Sequence, residues 1–100
     1  MAAAHNISVV RAPGGDPLAF DVTIREGKSE SRHHVTMSQA VFEKLTGGRH
    51  TAEECIEAAF RFLLDREPKE AILGRFDVTI ISRYFPEFER DLADYLRADG

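Results

Sequence analysis

The chain holds a single cysteine, Cys55, so no disulfide can close within it and a reducing compartment is the expected setting. It has no apolar run near the roughly 20 residues that a bilayer-spanning helix needs. The opening MAAAHNISVV lacks both a charged n-region and a long apolar h-region, so it does not read as a secretory signal. No membrane contact is expected, and the cytoplasm is the expected location. Gly-x-Ser-x-Gly is missing, and Cys55 falls in a largely apolar helical stretch where thiols are inert. The histidines and Cys55 show no spacing of three or four convergent ligands. No catalytic residue, no metal and no cofactor is therefore expected, and the balance leans away from an enzyme.

What is present is ordinary globular composition: 43% hydrophobic and 30% charged residues over 100 positions, enough for one domain with one modest core. The ends at 1–5 and 98–100 are expected to fray. The net charge of −4 is unevenly spread. Residues 1–50 carry six basic and five acidic side chains, and residues 51–100 carry seven and twelve. The acidic second half repels phosphate backbones and disfavours a nucleic-acid partner.

The front of the chain reads as strands. NISVVR (Asn6–Arg11) is a short β-branched run, and APGGDP breaks it. LAFDVTIRE alternates Phe20, Val22 and Ile24 with polar residues, and SRHHVTM alternates His33, Val35 and Met37. A two-residue Gly27-Lys28 turn sets Arg25 opposite Glu30 and Asp21 opposite His34. A four-residue loop would set Arg25 against Arg32. The first register is expected, with Phe20 opposite Val35 and Val22 opposite His33 on the core face. His33 and His34 then point to opposite faces.

The back of the chain reads as helices. Ser38 or Thr36 caps a short helix carrying Val41, Phe42 and Leu45, which Gly47-Gly48 ends. TAEE (Thr51–Glu54) is a capping box, opening a helix to about Glu67, before Pro68. Glu53, Glu57, Arg61 and Asp65 form its one polar stripe, so the helix must be covered on more than one side by later helices or another subunit. A short helix PKEAILGRF would bury Ile72, Leu73 and Phe76, with a connection at 77–79. Thr79 would then cap a helix bent at Pro86. Its stripe runs through Ile81, Phe85, Phe88, Leu92, Tyr95 and Leu96, with Tyr84 also helping to close the core. About three N-terminal strands followed by about four helices make an α+β fold, with an antiparallel sheet covered by helices.

Three constellations carry possible chemistry. Gly47, Gly48, Arg49, His50 and Thr51 precede a helix N-terminus and form a candidate anion site. The bland reading is a C-cap and an interhelix loop, since Glu53 and Glu54 already supply negative charge there. Residues 70–84 echo a helix-turn-helix, which would make Arg75 and Arg83 the nucleic-acid contacts. Its turn lacks the usual glycine, and Glu87, Glu89 and Asp91 follow. Arg83, Arg90 and Arg97 recur with Glu87 and Asp94 between them, a solvated salt-bridge ladder rather than a phosphate rail.

The words FLLDREP (Phe62–Pro68) and RYFPEFE (Arg83–Glu89), within residues 32–89, resemble a group of small bacterial conserved proteins of uncharacterised function. The resemblance implies a bacterial cytosolic setting and carries across no activity and no functional residue. The leading expectation is a non-enzymatic protein-interaction or regulatory module whose partner is a second copy (a homodimer) or another protein. The alternatives are nucleic-acid binding through 70–84, and a small ligand binder or enzyme with the anion site at 47–51, or with His34.

Overall fold

A computed structural model describes residues 6–97, so the expected fraying at 1–5 and 98–100 lies outside the described residues. The fold is α+β. Strands β1 (Asn6–Arg11), β2 (Leu18–Glu26) and β3 (Ser29–Met37) come first, then helices α1 (Gln39–Thr46) and α2 (Ala52–Leu64). A 3-10 turn at Lys69–Ala71 leads to a fourth strand, β4 (Arg75–Asp77), and then to α3 (Thr79–Tyr84) and α4 (Phe88–Arg97). The sheet order is β1-β2-β3-β4.

The β2–β3 hairpin has the register that the charge pairs imply. Phe20 pairs with Val35, Val22 with His33, Asp21 with His34 and Arg25 with Glu30. Gly27 has φ 61°, and no non-glycine residue among those described has positive φ. A turn with positive φ only at its first central residue is type II′, whose twist suits the flanking strands. Arg25 Nε lies 2.9 Å from Glu30, and Asp21 lies 3.0 Å from His34 Nδ1.

The fourth strand corrects the expected short helix and connection at 68–79. β4 pairs in parallel with β3, His34 to Arg75 through Thr36 to Asp77. The His34 amide donates to the Gly74 carbonyl and the Val78 amide to the Thr36 carbonyl. In FDVTIISRYF, Phe76 and Asp77 are thus strand, and Thr79–Tyr84 are helix. Thr79 is not the cap. Asp77 accepts from both the Thr79 amide (3.1 Å) and the Thr79 hydroxyl (2.7 Å), and also from the Thr36 hydroxyl at 2.6 Å. Burial alone would raise the Asp77 pKa, but these hydrogen bonds to its charged form outweigh that and hold it below the ordinary value.

Both expected caps are present. Ser38 accepts from Val41 N at the start of α1, and Gly47 ends it at φ 63°. Thr51 and Glu54 form the reciprocal capping box of α2. Ala52, Cys55, Ile56, Ala58, Ala59, Phe60, Phe62 and Leu63 are all buried. α2 packs against β1, α1 and α4, so its apolar circumference is covered within the chain. That removes the helix as a reason to expect another subunit.

Phe62 is the hub of the second cover. Its ring meets Phe88 edge-on at 5.0 Å, and Phe85 and Tyr95 at 5.8 Å. The Arg66 guanidinium sits 3.6 Å above the Phe62 ring and bonds Glu87 at 3.1 Å and Asp91 at 3.4 Å. Cation, ring and carboxylates together fasten α4 to the end of α2. Along the expected ladder at 83–97, Glu87 pairs with Arg66, just past the end of α2, and Arg90 pairs with neighbouring Asp91. No helix among the described residues is long and apolar enough to cross a membrane.

Candidate functional site

Loop 71–74 is held at both ends, and this shapes an apolar recess beside it. Lys69 is buried. Its ammonium donates to Ser29 Oγ at 2.5 Å and pairs with Glu70 and, at 3.7 Å, with Glu26. The hydrogen bond with Glu70 raises the Lys69 pKa, so the ammonium stays charged. The 3-10 turn is thereby tied to the β2–β3 hairpin. At the other end, His33 is buried and Nδ1 lies 2.7 Å from the Leu73 carbonyl. A carbonyl only accepts, so Nδ1 carries the proton. His33 Nε2 meets Ser31 Oγ at 2.9 Å, and its ring packs on Phe60 at 5.4 Å. This is a satisfied core histidine.

Between these anchors the backbone is extended at Ile72, with φ −77° and ψ 133°. Adjacent side chains in extended chain point to opposite sides. Ile72 enters the core and Leu73 stays 49% exposed, which corrects the expectation that both are buried. Tyr84, expected to help close the core, is 69% exposed, while Phe88 is buried and Phe85 half-buried. Helix α3 ends at Tyr84, and the chain turns at Phe85 before α4 begins. Tyr84 therefore falls outside the stripe that continues through Phe88.

Leu73 and Tyr84 rim an open groove of about 300 Å3. Its walls come from the end of α2 (Leu63), the loop (Ala71, Ile72), β4 (Phe76) and α3 (Ile80, Ile81). That volume sits at the lower end of ligand sites. One carboxylate lines it, Glu67. Burial alone moves the Glu67 carboxyl above its ordinary pKa, and its carboxylate has no hydrogen bond or ion pair among the described residues. An apolar concavity with one unpaired carboxylate suits an apolar body bearing a cation.

The other expected sites are differently placed. Gly47 and Gly48 are in left-handed conformation, Arg49 is exposed, and His50 Nδ1 lies 3.7 Å from Glu54. The Thr51 amide donates to Glu54 Oε1 at 2.8 Å and Thr51 Oγ1 accepts from the Glu54 amide. Glu54 thus stands where an anion would, and the segment acts as C-cap, loop and capping box. Residues 70–84 are not a helix-turn-helix; a 3-10 turn, a strand and one short helix occupy them. Arg75 lies on β4 and Arg83 on α3, both exposed. Among the described residues no group of three or more His, Cys, Asp or Glu is placed to hold a metal.

Sequence reasoning missed the groove because its residues look like core. Compared with protein-family models, curated proteins and solved structures, the chain matches none.

Proposed function

We propose that this protein is a non-enzymatic interaction module whose groove docks a short segment of a partner protein. The segment presents bulky apolar side chains to Leu73, Phe76, Ile80 and Tyr84, and a lysine or arginine to Glu67. The observation that carries this reading is the apolar groove with exposed Leu73 and Tyr84 at its rim and an unpaired carboxylate in its wall. The groove is open, and its apolar surface continues outward over Leu73 and Tyr84. A small molecule filling the recess would leave those rim side chains in water, whereas a peptide lying across it covers them. A cation brought to Glu67 also relieves a desolvated charge that the fold itself leaves unpaired.

Display selection of random peptides on the wild-type protein tests this. The expected binders combine apolar anchors with a nearby basic residue. Their affinity falls about tenfold or more, some 1.4 kcal/mol, on Leu73→Asp or Tyr84→Asp. Peptides without that pattern, bound equally by the wild type and both variants, would refute it.

A further inference from the structure

The two edges of the sheet are treated differently. β4 is three residues long, carries Arg75 and Asp77, and is closed off by α3. Short, charged edges resist pairing with another chain. β1 runs six residues in unbroken register with β2, Asn6 to Arg25 through Arg11 to Phe20. From Asn6 to Val10 it has no charge, no proline and no bulge. Val10 is 60% exposed. Among the described residues no strand pairs with its outer side, and an unpaired neutral edge is a template for another strand.

The pairing pattern shows which backbone groups are free. The Ala12 amide donates to the Ala19 carbonyl at 2.8 Å, which makes Ala12 and Ala19 a hydrogen-bonded pair. Such pairs alternate along an antiparallel ladder. Val10, Ser8 and Asn6 therefore turn their amides and carbonyls toward β2. Those of Ile7 and Val9 face outward. The hairpin agrees, because its closing pair Glu26–Ser29 assigns the even-numbered residues of β2 to β3 and leaves the odd ones for β1.

We infer that a second copy of this chain adds antiparallel to β1, with the two-fold axis at Ser8. Ile7 of one copy then pairs with Val9 of the other, and Val9 with Ile7, each pair exchanging both backbone bonds. The side chains agree with this register. Ile7 and Val9 lie opposite Ile24 and Val22, on the helix-covered face, and are only partly buried at its rim. Side by side across the axis they cover each other. On the open face Val10 meets Asn6 of the second copy. Shifting the axis to Val9 would set Ile7 against the charged Arg11, so Ser8 is the better centre. The strand is its own complement, which selects a second copy over an unrelated strand. The groove uses Phe76 of β4, at the opposite edge. The dimer leaves both grooves open at the two ends of one continuous sheet, where they can engage a partner bivalently. A contact this small is expected to be weak and concentration-dependent.

Amide hydrogen exchange followed by NMR from low micromolar to millimolar concentration tests the assignment, alongside sedimentation. The expected result is that Ile7 and Val9 gain protection as dimer forms, while Ser8 and Val10 are protected throughout. Val9→Pro removes only an outward-facing amide, and it is expected to keep the fold and stay monomeric. Should that variant not fold, the wild-type exchange pattern decides by itself. Fast exchange at Ile7 and Val9 at every concentration, whether the protein is monomer or dimer, would overturn the proposal. So would a folded Val9→Pro that dimerises like the wild type.

Discussion

His33 holds Leu73 by its backbone: Nδ1 donates to the Leu73 carbonyl at 2.7 Å, while the Leu73 side chain stays half-exposed at the groove rim. A rim residue fixed through its main chain offers its side chain to a partner without a large ordering cost. His33→Leu leaves that carbonyl without its donor. The expected loss is about 1–3 kcal/mol, measured by urea unfolding, with faster amide exchange around residues 72–74. Unchanged stability would mean the bond contributes nothing.

Glu67 is expected to stand in the groove at a cost to the fold. Its carboxyl is raised above 4.5 by burial, so the folded state binds the extra proton. Stability therefore falls as pH rises from 4.5 through the folded value, and the penalty is fully present at neutral pH. Glu67→Gln removes the charge. The variant should melt higher than the wild type at pH 7, and the gap should narrow as the pH falls toward 4.5. A lower melting temperature for the variant at neutral pH would show that Glu67 supports the fold instead.

Asp77 has the opposite sign. Its pKa is held below 3.8, so its contribution is present above 3.8 and is lost as pH falls through the lower folded value. Asp77→Asn should be less stable than the wild type at neutral pH, with the difference shrinking in acid below 3.8. The same scan on Thr36→Val should show a smaller acid dependence than the wild type. A difference that does not change with pH would contradict the account of Asp77.

Cys55 is buried, and desolvation pushes its thiol up to about 12. Only the thiolate reacts, so alkylating reagents at neutral pH should modify Cys55 at the rate of unfolding. Labelling should be complete in denaturant and very slow in buffer. Fast labelling of the folded protein would mean that α2 opens locally.

Much of the fold could be read from sequence where the determinants are local. The Gly27-Lys28 turn and the pairs Arg25–Glu30 and Asp21–His34 fix the hairpin register between neighbouring residues. The Thr51–Glu54 box fixes the start of α2 within four residues. β4 escaped because its backbone partners, His34 to Thr36, lie some forty residues away and nothing local signals a parallel pairing. Helical phase from Ile81 to Leu96 was legible, yet it hid the break at 85–87 that turns Tyr84 outward. The groove was illegible for the same reason: it is the space left between α2, β4 and α3 once distant segments meet.

Docking at the groove is open to a direct check by NMR titration. A selected peptide would be added to isotope-labelled protein and the shifted amides mapped. The expected shifts centre on Glu67, Leu73, Phe76 and the stretch 80–85, and Leu73→Asp abolishes them. Shifts confined to the open sheet face around Asp21, Arg32 and His34, with the groove silent, would contradict it.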